Sequence, residues 1–255
     1  MEKPIQAKER ANELFFQLSS NDRRHILSEL QKEDLKLHEV AQRLEMTATE
    51  TLRQLQRLTE AGLLDKMANG KYKLTSYAKL VLDTSSSMDF VSRFREYFLG
   101  HNAFLLPCEF RSRLGELYGC ELIPTTIETI NKVTELIQRA QKQLDAVILG
   151  TEALIEMMRQ RSLEGVKIRW LMQESLVPRA PSILRSWRQL PEIRTTPAVP
   201  GHIVVTDKAA LLTIRRNDGE MSYESFVGAD SSFMKWADGL FMYEWQKAKP
   251  WYPQV

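Results

Sequence analysis

Between residues 47 and 75 the spacing of apolar residues switches from a helical to a strand period across a single glycine, which few folds accommodate in so short a stretch. Thr47 followed three residues later by Glu50 reads as a capping box that starts a helix, and Gly62 after Ala61 reads as its left-handed stop. At about 100° per residue, Leu52, Leu55 and Leu58 fall on one side of this helix and Glu50, Arg53, Gln54 and Arg57 on the other. One side packs, and the other presents arginines and a glutamine. Beyond Gly62, residues 63–66 and 71–75 read as two short strands. The turn Met67-Ala68-Asn69-Gly70 joins them, its Asn-Gly pair supplying the positive φ angles of a tight hairpin. Lys66, Lys71 and Lys73 ride on that hairpin.

Three helices are expected ahead of this stretch. Residues 8–19 place Ala11, Leu14, Phe15 and Leu18 on one face with an aromatic contact surface; 23–31 turn Ile26, Leu27 and Leu30 inward; 37–44 do the same with Val40, Ala41 and Leu44. The links are a few residues long and force a compact cluster. Helices closed by a basic hairpin make a winged helix-turn-helix, with a recognition helix over 48–61 and a wing over 63–75. A helix over 76–82 follows, broken by Ser85-Ser86-Ser87. Then comes an aromatic amphipathic helix marked by Phe90, Val91, Phe94, Tyr97 and Phe98. That helix reads as a connector, packed on a second domain, on its copy in a dimer, or simply as core.

From residue 108 helix and strand alternate. Helices are expected over 110–117, 126–142 (capped by Thr125 with Glu128 at the box position), 152–162, 181–188 and 231–246. Strands are expected over 121–123, 145–149, 167–172, 193–196, 202–206, 210–215 and 223–227, with a non-helical tail over 249–253. The fold class is therefore a two-domain α+β and α/β chain. It divides into a winged helix-turn-helix over 1–84, a connector over 85–107, and an α/β domain with a mixed sheet over 108–255 for sensing or dimerisation.

Composition narrows the function. The 255 residues are 43% hydrophobic and 27% charged, which disfavours disorder and disulfide-stapled miniproteins. No apolar run approaches the length of a membrane span, and the opening MEKPIQAKER lacks the apolar core of a signal peptide, so a cytoplasmic protein without membrane contact is expected. Cys108 and Cys120 have no partners at zinc-finger spacing; two buried thiols are expected, with no metal and no cofactor. The net charge of +2 announces no nucleic-acid binder in bulk, so the case rests on local pattern. Residues 47–79 hold six basic side chains (Arg53, Arg57, Lys66, Lys71, Lys73, Lys79) against three acidic ones (Glu50, Glu60, Asp65). A helix fits the major groove, where arginine pairs with guanine and glutamine with adenine, so Arg53, Gln54 and Arg57 carry the right chemistry on one face. Thr49 and the hairpin lysines suit phosphates, and double-stranded DNA is the expected partner.

The stretch TETLRQLQRLTEAGLLDKMANGKYKLTSYAKLVL, 49–82, resembles the recognition helix and wing of ArsR-like winged-helix transcription regulators, many of which are dimers. The resemblance implies a homodimer. It also implies contacts by Thr49, Arg53, Gln54 and Arg57 with base edges or nearby phosphates, and by Lys66, Asn69 and Lys71 with the backbone. Glu50 departs from the small polar residue often found there and, as capping partner, ranks below its neighbours. Residues 101–124 and 223–251 resemble the middle domain of archaeal methanogenesis-type regulatory proteins, through His101, Pro107, the run Arg113-Leu114-Gly115-Glu116-Leu117, Gly228, Trp236, Phe241 and Trp245. That likeness implies an archaeal transcription regulator whose second domain senses a small-molecule effector or oligomerises.

The same domain type is similar in fold to phospholipase D-like nucleases, which use a His-x-Lys-x4-Asp element. Here His202 is followed by Val204 where the lysine belongs, and Asp207 comes two positions early. Without the cation to neutralise developing charge, phosphoryl chemistry is hard to support, so a fold without catalysis is expected. The alternative is a phospholipase D-like phosphodiesterase or nuclease with a DNA-docking winged helix. Other catalytic signatures, including phosphate-binding glycine loops, are missing, and the four histidines are scattered. Gly150-Thr151 falls at a strand-to-helix turn of the kind that holds ligands, while Trp170, Trp187, His202 and Trp236 suit either a pocket or the core.

Overall fold

Ser20 ends one helix and starts the next. Its side chain accepts from the amide of Arg23, so α1 (Pro4–Ser19) and α2 (Asn21–Lys32) meet at a one-residue joint. The computed structural model describes residues 4–148, 152–179 and 191–252, and the chain divides into two units, Met1–Ser85 and Ser86–Val255. In the first, β1 (Leu35–Lys36), α3 (Leu37–Arg43) and α4 (Ala48–Glu60) follow α2. Ile26, Leu27, Val40, Leu55, Leu58, Leu63 and Tyr72 form its buried core.

Both ends of α4 are fixed locally. Thr47 Oγ1 accepts from the Glu50 amide at 3.2 Å. At the other end Gly62, at φ +73°, donates to the Thr59 carbonyl and Leu63 donates to that of Leu58 at 2.9 Å, a complete Schellman stop. The turn between α3 and α4 closes the same way, with Met46 donating to Ala41 at 2.9 Å, but its left-handed position is Glu45 at φ +53°. The hairpin pairs β2 (Leu64–Lys66) with β3 (Lys71–Leu74). Only Gly70 has positive φ, so the turn is a three-residue loop with a glycine bulge rather than the Asn-Gly pair expected; Met67 and Lys71 close it at 2.8 Å. β1 adds a third strand against β3, which two residues are too short to announce by period.

Three expectations for this unit need correction. Leu52 is 38% exposed, because the packed side of α4 is centred on Thr51, Leu55 and Leu58 instead. Phe15 and Phe16 are more than half exposed, so the aromatic face of α1 is not packed within this unit. Ser85-Ser86-Ser87 breaks nothing: α5 runs from Ser76 to Arg93, with Thr84 and Ser85 hydroxyls bonded back to the carbonyls of Leu80 and Leu82.

The second unit starts within α5 and continues through α6 (Arg95–Gly100), α7 (Cys108–Arg111) and a 3-10 turn, Leu114–Leu117. The single helix expected over 110–117 is thus split. Ser87 Oγ accepts from the Gly115 amide at 3.0 Å, and a Cβ on Gly115 would lie 2.7 Å from the Ser86 carbonyl carbon, so only small residues permit this approach. The stretch 85–107, read as a connector, supplies core to this unit: Phe90, Tyr97 and Leu106 are buried, and Phe90 and Tyr97 meet the Phe226 ring at 5.5 and 4.5 Å.

An eight-stranded mixed sheet organises the unit. Its strands are β4 (Glu121–Ile123), β5 (Gln143–Val147), β6 (Lys167–Gln173), β7 (Glu192–Thr196), β8 (Ile203–Thr206), β9 (Ala210–Leu212), β10 (Ser225–Gly228) and β11 (Lys249–Pro250). They lie in the order β11-β7-β6-β5-β8-β9-β10-β4, parallel across β5, β6 and β7 and antiparallel elsewhere. Alternation sends Val147, Leu171, Ile203 and Val205 to one face under α10 (Ser231–Lys247), and Ala146, Trp170, Met172 and Val204 to the other under α8 (Thr126–Arg139) and α9 (Glu152–Leu163). Asp145, fully buried in β5, takes two 2.6 Å bonds from Arg169.

α8 stops three residues before the expected end, β9 stops at Leu212, and residues 249–250 of the tail pair on β7 as an edge strand. The helix expected over 181–188, with Trp187, and the turn at Gly150-Thr151 lie outside the described residues. Cys120 is buried, its thiol pushed up to about 12 by desolvation, but Cys108, expected to be buried, is exposed. Among the described residues no helix is long and apolar enough to cross a membrane, and no three His, Cys, Asp or Glu side chains gather as a metal site.

Candidate nucleic-acid interface

The exposed side of α4 is made by Thr49, Leu52, Arg53, Gln56 and Glu60, with Arg57 half-buried at its edge. Thr49 and Arg53 therefore lie on the face expected for them. Gln54 does not. It is 4% exposed, about 40° around the helix from buried Leu58 and about 100° from Arg53, so it belongs to the packed side. Gln56 takes the exposed position, three residues after Arg53 and seven after Thr49. The helical period alone could have found it had the packed side been centred on Thr51 and Leu58.

Gln54 is buried with its polar atoms satisfied. Its Oε1 accepts from Arg23 Nη1 at 3.1 Å, and its Nε2 donates to Glu50 Oε1. Arg23, also 4% exposed, sends Nε to the Gln17 carbonyl at 2.9 Å and Nη2 to that of Phe16 at 2.6 Å. Burial lowers the Arg23 pKa, and the neighbouring Arg57 charge adds to that. Glu50 accepts from Arg53 Nη2 at 2.8 Å, and the Arg53 and Gln54 donors hold its carboxyl below the ordinary range. Thus Glu50 is only half of the expected capping box: its amide is capped by Thr47, while its carboxylate turns to Arg53 and Gln54.

On the hairpin, Lys66 and Lys73 are exposed and Lys71 is half-buried. The Lys66 ammonium lies 5.7 Å from the Tyr72 ring centroid. Asn69 is exposed, and its Oδ1 accepts from the Lys71 amide at 3.0 Å, so it braces the turn.

In the second unit, His202 is 5% exposed, and neither ring nitrogen has a hydrogen-bond partner among the described residues. Desolvation drives its pKa down to about 4. A small cavity lined by Val147, Leu171, Gln173, Val199 and Met221 adjoins it. Val204 is fully buried. Asp207 braces a turn: it accepts from the amides of Gln141 and Lys142 at 2.8 and 3.1 Å and pairs with Lys208 at 3.3 Å. Burial would raise its pKa, and these donors together bring it to about 2. Trp170 and Trp236 are core residues, 1% and 0% exposed.

No family model matches the sequence, and no curated protein matches it. Solved structures similar to the chain include TrmBL2, an archaeal chromatin protein described with a novel mode of DNA binding, at 18% identity over 95% of this chain and 98% of that one, with a TM-score of 0.43. NucT from Helicobacter pylori matches at 13% identity over 52% of this chain and 98% of its own, with a TM-score of 0.41. Nuc, a phospholipase D family member from Salmonella typhimurium, matches at 12% identity over 52% of this chain and 99% of its own, with a TM-score of 0.40.

Proposed function

We propose that the chain is a sequence-specific DNA-binding transcription regulator whose first unit is a winged helix-turn-helix. The observation that carries this reading is the exposed face of α4, where Thr49, Arg53 and Gln56 share one side of a helix with firmly capped ends, in the same small unit as a hairpin bearing Lys66, Lys71 and Lys73. Such a helix suits the major groove, and such a hairpin suits the phosphate backbone. Arg53 and Arg57 are assigned to base edges or nearby phosphates, Thr49 and the hairpin lysines to phosphates, and Asn69 to the backbone of the wing tip. Gln54 supports the face from beneath. The second unit is assigned to effector sensing or dimerisation, and the working form is a homodimer, which calls for an inverted-repeat operator. The nuclease reading has less support: Val204 stands in the lysine position, and His202 is buried.

The test is a salt titration of the purified protein on DNA from upstream of its own coding region and on a random duplex of equal length. Tighter binding to the upstream fragment, with a log-log salt slope that reports the phosphates contacted, is the expected result. No binding to either duplex at low salt would overturn the assignment.

A further inference from the structure

Beside the face assigned to DNA, at its N-terminal end, stands a half-buried carboxylate, Glu50, and a carboxylate close to a polyanion is unfavourable unless it holds something in place. The Arg53 Nη2 donates to Glu50 Oε1 at 2.8 Å, and the Gln54 Nε2 donates to the same oxygen. The two donors stand three and four residues beyond Glu50, so both return to it along one side of the helix. Behind them, Arg23 Nη1 donates to Gln54 Oε1 at 3.1 Å, and its remaining donors reach the Phe16 and Gln17 carbonyls at the α1–α2 joint. An unbroken polar chain therefore runs from that joint, through the packed side of α4, to the exposed Arg53.

The chemistry of the chain fixes its direction. Arginine only donates, so Gln54 must offer its oxygen to Arg23, which leaves its amide group to donate to Glu50. The Glu50 carboxylate is thus oriented from behind by a buried neutral amide, and in front it grips Arg53 by one Nη. The bond to Glu50 uses only Nη2, and the Arg53 side chain is exposed, so its other guanidinium donors are available for the bidentate recognition of a guanine edge. Glu50 also lies in the first turn of α4, whose free amides would otherwise attract any phosphate.

We infer that Glu50 is a specificity-determining residue of the DNA-reading face: it holds Arg53 for a base edge and discourages both Arg53 and the α4 N-terminus from settling on phosphate. Gln54 and Arg23 are its positioning residues. This rests on the DNA-binding assignment above and adds the device by which sequence is separated from bulk charge.

The test compares the unaltered protein, Glu50→Gln and Gln54→Met on two probes: the duplex that the unaltered protein enriches from a randomised pool, and a random duplex of equal length, each titrated across salt. Glu50→Gln is expected to bind the random duplex roughly threefold to tenfold more tightly with a steeper salt slope, while the ratio of selected to random affinity falls about tenfold. Gln54→Met keeps the Glu50 charge and loses its orientation, so the ratio should fall without the gain on random DNA. A melting temperature for Glu50→Gln equal to that of the unaltered protein separates this effect from loss of fold. If Glu50→Gln tightens both duplexes by the same factor, Glu50 acts as bulk charge and the inference fails while DNA binding stands. If the unaltered protein enriches no sequence, the sequence-specific reading fails and takes the inference with it.

Discussion

Among the described residues neither nitrogen of the buried His202 imidazole has a hydrogen-bond partner, which makes this residue sensitive to acid. Its pKa is about 4 in the folded chain against an ordinary 6.5, so between those values the unfolded chain takes up a proton that the folded one refuses. Stability from this group is complete above pH 6.5, falls as pH drops towards 4, and is level below that, a loss of about 3 kcal/mol. His202→Leu should abolish that slope in urea midpoints measured across pH, and an unchanged slope would exclude His202 as its source. Glu45 stands at φ +53°, where a side chain costs about 1–2 kcal/mol. Glu45→Gly should therefore raise stability by roughly 0.5–1 kcal/mol after its entropy cost, read as a higher denaturation midpoint. Arg53→Ala should weaken binding to the preferred DNA by about 1–3 kcal/mol and relax one base position, and equal binding to every duplex would move the reading face elsewhere. At this scale the sequence was a partial guide. Arg53 and Thr49 could be placed by period alone, but Gln54 could not, because what draws it inward is Arg23, thirty-one residues earlier in the chain.

Among the elements, those bounded by local chemistry were legible and those bounded by tertiary contact were not. Thr47, Gly62 and Thr125 mark helix ends through bonds within a few residues, and the helices stop or start there. The serines at 85–87 look like a break by composition. In the fold they are the small residues that let α5 approach the turn at Gly115, a contact invisible in the sequence. Gly115→Ala would push a methyl into the Ser86 backbone and should cost about 1–3 kcal/mol, measurable as a lowered unfolding midpoint; a neutral effect would show that the contact yields. Lys71→Ala, on the hairpin, should weaken binding alike across sequences and reduce the salt slope by about 1, whereas a change in sequence preference would mean that the hairpin reads bases.

At the scale of the whole chain, the alternation of helix and strand was enough to announce a mixed sheet, but strand order was not. β8 and β9 form a local hairpin, but β5 and β8 are neighbours through a pairing that no local pattern records. Each unit has its own core, one around Leu27 and Leu55, the other around Phe226, Trp236 and Trp170. Heating should accordingly give two calorimetric transitions, with Gly115→Ala lowering only the one that belongs to the larger unit; a single transition shifted as a whole would mean that the two cores melt as one. The chain has two cysteines, and they differ sharply: Cys108 is exposed, while Cys120 is buried with its thiol raised to about 12. A maleimide at neutral pH should thus find one sulfur, giving the unaltered protein a built-in attachment point for a fluorophore, in the unit that does not carry α4.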